Sequence, residues 1–140
     1  MVKDCNVAVK GLVCIGDSLL ILQKGLNENS HWDVPGGRIN DNESLDEALV
    51  RELSEELPTL KSYTVSGVVG AYRLVESVND KALIFIFYKI EAQSFEINLS
   101  SEHVAHRWMT KETLPNLLNS KHKIEKGYYD IIAKIFFTND

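Results

Sequence analysis

The sequence predicts an α/β fold in which helices pack against a mixed β-sheet. Three observations favour this class: β-rich segments lie on both sides of one short amphipathic helix, one strand is apolar almost throughout, and a second helical pattern lies near the C-terminus. Elements in this order typically form one sheet with helices packed against it. The 140 residues suit one hydrophobic core, so we expect a single domain over residues 1–140.

The first part of the sheet is predicted from two β-rich runs, residues 7–15 and 19–23. Between them, Gly16-Asp17-Ser18 is a typical hairpin signal. Residues 27–40 are polar and contain Pro-Gly-Gly, so they are predicted to form a loop with tight turns.

Three further strands are predicted at residues 65–75, 82–90 and 104–109. The second of these reads ALIFIFYKI, which is typical of a central strand buried on both faces. After them, apolar residues recur at helical spacing and predict a helix that packs on the sheet. These residues are Ile124, Tyr128, Ile131, Ile132, Ile135 and Phe136.

The composition argues against binding to nucleic acids or to acidic membranes. The formal net charge is −5, whereas such binding requires clustered Lys and Arg. A phosphorylated small molecule is compatible with this charge, because a divalent cation can bridge carboxylates and phosphates. The sequence has no signal-peptide cleavage pattern, no run of ~20 apolar residues and no CxxC pair, so we expect a cytoplasmic protein with reduced thiols.

A helix over residues 45–57 is predicted from signals at both of its ends. Ser44 and Glu47 form an S-x-x-E capping box, which places Ser44 at the N-cap. Pro58 cannot continue the helix, because it lacks a backbone N–H and its ring clashes with the preceding turn.

Three carboxylates occupy unusual positions on this helix. At about 100° per residue, Glu52 and Glu56 lie roughly 20° from Leu45, inside the apolar stripe, and Glu55 lies beside them at about −80°. All three are near the negative end of the helix dipole, and they repel one another by ~0.2–0.5 kcal/mol per pair. A divalent cation that takes oxygen ligands, Mg²⁺ or Mn²⁺, would offset this repulsion. The alternative is an acidic, solvated helix end.

The wider segment carries a family motif. Its sequence, GRINDNESLDEALVRELSEELP, resembles the Nudix box, G-x5-E-x7-R-E-U-x-E-E-x-G-U, where U is a bulky aliphatic residue. The preceding HWDVPGG is also similar to the family's approach to the box. Pro58 and Thr59 depart from the motif, because they stand where a glycine and an aliphatic residue are usual. The matching residues are Gly37, Glu43, Arg51, Glu52, Leu53, Glu55 and Glu56.

This resemblance implies a Nudix-type α/β/α sandwich and a metal-dependent hydrolase. The implied reaction is attack of water on a phosphorus atom of a small-molecule nucleoside diphosphate derivative, with Mg²⁺ as cofactor and Mn²⁺ as a substitute. By the same resemblance, Glu55, Glu56 and the Gly37 carbonyl are expected as metal ligands. Glu52 is expected either as a further ligand or as the general base.

The resemblance also suggests roles for three residues around these ligands. Arg51 is expected to hold the Glu52 carboxylate by a charge-assisted hydrogen bond. Glu43 is expected to support the ligands from behind, and a favourable charge at the helix N-terminus is the alternative. Glu102, in a loop before a Trp-containing strand, is expected as a metal ligand or base, with an ordinary surface charge as the alternative.

Two basic residues and two tryptophans complete the prediction. Lys24 and Arg38 adjoin the expected site, so they are candidate contacts for substrate phosphates, and exposed surface cations are the alternative. Trp32 and Trp108 are expected to pack in the core more often than to stack on a base.

The competing functions are an enzyme and a binding module. An intact set of Glu52, Glu55 and Glu56 favours the enzyme over a Nudix-fold module that binds or senses a nucleotide without cutting it. A pure scaffold would leave the misplaced carboxylates unexplained. Substrate-reading residues come from variable loops, so a nucleoside triphosphate and a nucleotide sugar both remain as expected substrates, and the oligomeric state is open.

Overall fold

Seven strands and two α-helices lie in the part of the chain that the computed structural model describes, residues 4–25, 30–74, 82–99 and 103–137. The strands are β1 (Cys5–Ile15), β2 (Ser18–Lys24), β3 (His31–Asp33), β4 (Gly36–Arg38), β5 (Tyr63–Leu74), β6 (Ala82–Ala92) and β7 (His103–Met109). The helices are α1 (Leu45–Glu56) and α2 (Lys126–Ala133), with 3-10 turns at Leu114–Asn119 and Lys134–Phe136.

Strand β1 organises the sheet. It runs parallel to β6 over most of its length, and it pairs antiparallel with β4 and with the start of β2. β5 lies antiparallel on the outer side of β6, and β7 and β3 lie antiparallel beside β2. The sheet is therefore mixed, as predicted.

The two helices cover opposite faces of this sheet. On one face, α1 buries Leu49 and Leu53 against alternate residues of β1, β2 and β6. On the other face, α2 buries Tyr128 and Ile132 against the remaining alternate residues of the same strands. Successive side chains of a strand point to opposite faces, so each strand contributes to both cores. The predicted α/β/α sandwich is confirmed.

The predicted ends of α1 agree closely with the structure. The Ser44 side chain accepts a hydrogen bond from the Glu47 amide, and the Glu47 side chain accepts one from the Ser44 amide, so the capping box is complete. The helix ends at Glu56, with Leu57 as the C-cap and Pro58 immediately after it. Pro58 stands where the motif has a glycine. The residue before it, Leu57, is fully buried, so the apolar stripe of α1 is complete up to the proline.

The predicted loop over residues 27–40 is wrong in part, because it contains β3 and β4. These short strands pair with β2 and β1, respectively. Between them the chain turns at Gly36, whose φ is +147°. A Cβ at this position would lie 2.0 Å from the Val9 carbonyl oxygen, so only glycine allows this close pairing with β1.

The C-terminal helix is shorter than predicted. Helix α2 ends at Ala133, and the chain continues as a 3-10 turn to Phe136. Gly127 lies in the first turn of α2, where a Cβ would be 2.4 Å from the ring of Tyr72. Within the described ranges, no helix is long and apolar enough to cross a membrane.

Candidate active site

A buried carboxylate, that of Glu56, lies at the centre of the candidate site. Glu56 occupies the last turn of α1 on the apolar stripe, and only 5% of the residue is exposed. Its Oε2 accepts a hydrogen bond from the Gly36 amide at 2.5 Å. Burial disfavours the charged form and raises the pKa of Glu56 from 4.5 to about 7.

The Glu52 carboxylate lies against the turn of residues 34–37, by which we mean the two residues after β3 and the first two residues of β4. A Cβ at Gly37 would be 2.5 Å from Glu52 Oε1, so a larger residue there would displace this carboxylate. Arg51 Nη1 donates a hydrogen bond to the same oxygen at 2.9 Å. The side chains of Glu52 and Glu56 therefore approach the turn from α1 at neighbouring positions.

Arg51 connects the carboxylates of the predicted motif. Its guanidinium donates two hydrogen bonds to Glu43, at 2.7 and 2.9 Å, in addition to the bond to Glu52. Nη1 also lies 3.4 Å from Glu55, and Nη2 donates to the Arg38 carbonyl at 3.0 Å. The Arg51 hydrogen bonds and the Asn40 amide lower the pKa of Glu43 from 4.5 to about 2. The segment before α1, the C-terminal part of α1 and β4 are thus joined by one side chain.

Three glutamates of the motif, Glu52, Glu55 and Glu56, line one cleft with a volume of about 510 Å³. The cleft brings together Gly37, Glu52, Glu55 and Glu56 with the two basic residues predicted to contact phosphates, Lys24 and Arg38. Glu43 lies behind the cleft, beyond Arg51. Glu102 falls outside the described residues, so its role stays a prediction.

The donors in this cleft fit a hard divalent cation. Carboxylate oxygens and a backbone carbonyl at a glycine are ligands that Mg²⁺ and Mn²⁺ prefer. Glu55, whose side chain is 59% exposed, has room to turn towards the cleft. In the residues described, no three Asp, Glu, His or Cys side chains already converge on one point. The Glu52 and Glu56 carboxylates are instead hydrogen-bonded to Arg51 and to the Gly36 amide, respectively.

The structure adds three residues that the sequence interpretation missed: Lys10, Asp33 and Tyr128. Lys10 Nζ lies 3.1 and 3.2 Å from the two carboxylate oxygens of Asp33, and both residues are more than 90% buried. The Tyr128 hydroxyl donates to Asp33 Oδ1. The sequence feature that could have indicated this cluster is Lys10, which interrupts an otherwise apolar strand. Its partner Asp33 lies 23 residues away in sequence.

A second cavity, of about 630 Å³, adjoins the cleft. The two cavities share Lys10, Asp33 and Phe85 in their linings. The Tyr128 ring packs edge-on against both Tyr72 and Phe85, so much of the wall is aromatic. We call this cavity the aromatic pocket.

The two tryptophans differ in their surroundings. Trp32 is buried in the core on the α2 side and also lines the aromatic pocket. Among the described residues, its Nε1 has no hydrogen-bond partner. Trp108 is half-buried and packs edge-on against Phe95. Both therefore pack in the core, and Trp32 also forms part of the pocket wall.

Solved structures with this fold include the MutT protein from Methanosarcina mazei Go1. It is 23% identical to this chain, with a TM-score of 0.75, and the alignment covers 96% of this chain and 94% of that chain. A NUDIX hydrolase from Nitrosomonas europaea superposes with a TM-score of 0.74 at 18% identity, covering 94% and 88% of the two chains. At these identities the likeness shows the fold.

Two curated relatives are similar over shorter segments. The 8-oxo-dGTP diphosphatase of Proteus vulgaris is 38% identical over 58 residues, which are 39% of this chain and 51% of the relative. The asymmetrical bis(5'-nucleosyl)-tetraphosphatase of Mus musculus is 28% identical over 93 residues, covering 65% and 63% of the two chains. In both cases the chain spans less than two thirds of the relative's length.

The family assignment rests on a match over nearly the whole chain. The sequence pattern of the NUDIX domain matches residues 6–134, a range that includes every element from β1 to α2 except the first residue of β1. The match also contains the helix and turn that form the carboxylate cleft. The chain therefore belongs to the NUDIX domain family.

Proposed function

We propose that this protein is a metal-dependent pyrophosphohydrolase that cleaves a phosphoanhydride bond in a nucleoside diphosphate derivative. The observation that carries the proposal is the cleft that Glu52, Glu55 and Glu56 line together with Gly36 and Gly37. A buried carboxylate with a pKa of about 7 and repelling neighbours is unfavourable without a cation. Family membership supports a divalent metal ion, since Nudix hydrolases generally use one.

The three glutamates, the Gly37 carbonyl and Arg51 each have a role in the proposed reaction. Glu55, Glu56 and the Gly37 carbonyl would hold Mg²⁺, or Mn²⁺ in its place, and the bound ion would neutralise phosphate charge. Glu52 takes the proton from the attacking water, and Arg51 holds this carboxylate in place through the bond at 2.9 Å. Catalysis of this kind depends mainly on positioning and charge stabilisation.

The basic residues and the aromatic pocket support a nucleotide substrate. Lys24 and Arg38 line the same cleft as the carboxylates, where they would bind phosphate oxygens. The aromatic pocket lies next to this cleft, and its volume and aromatic lining suit a nucleoside. The names of the Proteus vulgaris and Mus musculus relatives, both enzymes of nucleoside polyphosphates, support the same class. We propose a nucleoside triphosphate or a nucleotide sugar as the substrate. We propose the cytoplasm as the location of the protein.

We expect turnover to require a divalent metal ion and the fold to survive its removal. Neither hydrophobic core includes a carboxylate of the cleft, so we expect the fold to form without the ion. The experiment is a screen of nucleoside triphosphates and nucleotide sugars with Mg²⁺, Mn²⁺ or chelator, with the products separated to identify the bond that is cut. Circular dichroism of the same samples should remain unchanged.

A pair of matched variants tests whether the hydrolytic activity resides in the cleft. Glu55→Gln should lose activity, whereas Glu112→Gln, an exposed carboxylate outside the cleft, should not. Turnover that persists in chelator would refute metal dependence. Tight nucleotide binding without hydrolysis at any metal concentration would favour the binding module instead.

We also expect that lysine cannot replace Arg51. A lysine has no planar fork, so it cannot bind Glu43 in bidentate fashion and reach Glu52 at the same time. Loss of such a supporting group typically lowers activity or metal affinity by roughly 10–100-fold. Steady-state kinetics of Arg51→Lys measure the effect, and Arg73→Lys, on the exposed edge strand β5, is the matched control. Equal loss in both variants would contradict the assigned role.

A further inference from the structure

The Asp33 carboxylate is bound from three directions in the interior. Lys10 Nζ from β1 donates to Oδ1 and Oδ2, and the Val34 amide donates to Oδ1 at 2.8 Å. The Tyr128 hydroxyl from α2 donates to Oδ1 as well. The Val34 amide is a local donor, whereas Lys10 and Tyr128 lie 23 and 95 residues away from Asp33 in sequence. Asp33 therefore joins the sheet to α2 at one point.

The backbone beyond Asp33 carries the groups that face the α1 carboxylates. In the turn of residues 34–37, the Gly36 amide donates to Glu56, and Gly37 lies against Glu52. The turn is also fixed to β1, because the Gly11 amide donates to the Pro35 carbonyl at 2.8 Å. Lys10 pairs with Gly36 in the sheet. A shift of Asp33 would thus move the backbone that meets both carboxylates.

The charged state of this cluster is maintained in spite of its burial. Burial opposes ionisation of Asp33, but the Lys10 charge and the Tyr128 hydroxyl more than offset it, so the Asp33 pKa lies below its ordinary value. Buried ion pairs are seldom more stabilising than apolar side chains of similar volume. A contribution to the stability of the fold is therefore a weak explanation for the presence of a buried Lys10–Asp33–Tyr128 cluster.

We propose that Lys10 and Tyr128 are positioning residues: through Asp33 they fix the turn of residues 34–37 against the α1 carboxylates. They act on Glu56 through the Gly36 amide and on the metal site through Gly37. This inference rests on the proposed function for its catalytic meaning. The Tyr128 ring also packs against Tyr72 and Phe85, so the aromatic pocket and the turn share one support.

The test uses Tyr128→Phe, which removes the hydroxyl and keeps the ring. Tyr129→Phe is the matched control, because Tyr129 is a buried tyrosine of the same helix with no described bond to Asp33. One readout is the amide resonance of Gly36 in the ¹⁵N-labelled, metal-free protein, which reports the hydrogen bond to Glu56. A second readout is Mn²⁺ affinity without substrate, measured by electron paramagnetic resonance.

We expect Tyr128→Phe to move the Gly36 amide proton upfield and to weaken Mn²⁺ binding roughly tenfold, with kcat falling more than KM rises. Tyr129→Phe should change neither readout. Asp33→Asn, which keeps the side-chain shape and removes the charge, should reproduce both changes. This variant replaces Tyr128→Phe in the test if Tyr128→Phe folds poorly.

A different pattern would overturn the inference. If the Gly36 resonance and Mn²⁺ affinity stay unchanged while only the KM for nucleotide rises, Tyr128 is a substrate contact and has no positioning role. The amide resonance is independent of hydrolysis, so it separates this failure from failure of the proposed function. A parent protein that hydrolyses no nucleotide, but whose Gly36 resonance still responds to Tyr128→Phe, would refute only the function.

Discussion

Glu56→Gln is expected to stabilise the metal-free protein at pH 8 while it removes most of the activity. In the parent protein the pKa of Glu56 is raised from 4.5 to about 7, chiefly by burial. The folded state therefore holds a proton that the unfolded state has released, and the free energy of unfolding falls as the pH rises from about 4.5 to about 7. The difference between these pKa values corresponds to about 3 kcal/mol. A neutral glutamine avoids this cost, but it is a poor metal ligand.

Thermal melting of the metal-free parent and Glu56→Gln, from pH 5 to pH 8, measures this effect. The parent should lose stability across that range, and the variant should lose less, so that it melts several degrees higher at pH 8. Glu112→Gln, an exposed carboxylate outside the cleft, is the control and should follow the parent. A variant that melts far below the parent at every pH would mean that Glu56 is a structural partner of the Gly36 amide.

Glu52→Gln is expected to lower the maximal rate more than Glu102→Gln does. A general base contributes typically ~10²–10⁴-fold to the rate, whereas a lost ligand is often compensated by water and more metal. Glu52 is fixed on α1, with Oε1 held by Arg51 at 2.9 Å and placed beside Gly37. These contacts give Glu52 the defined orientation that proton transfer requires.

The measurement is kcat of both variants across a Mg²⁺ titration, with the nucleotide identified in the screen. At saturating Mg²⁺, Glu52→Gln should remain impaired and Glu102→Gln should recover most of its rate. The reverse result, in which Mg²⁺ rescues Glu52→Gln and Glu102→Gln stays inactive, would assign the base to Glu102 and make Glu52 a metal ligand.

Local signals predicted the elements of the site well. The capping box at Ser44 and the proline at position 58 bracket α1 within one residue of its observed ends, because both act on neighbouring backbone groups. Helical periodicity also placed Glu56 inside the apolar stripe, where it is buried. The loop prediction over residues 27–40 failed where pairing with β1 and β2 decided the conformation, since such pairing is not a local property.

The sequence by itself determined the family, the helix and the carboxylates that it carries, because a motif and a helical period are contained in one short segment. Only the tertiary structure decided what surrounds them. Asp33 meets Lys10 and Tyr128 across 23 and 95 residues of sequence, and the Gly36 amide meets Glu56 across 20. Such contacts depend on how the strands are ordered and how the helices pack on them, and local propensity does not encode that order.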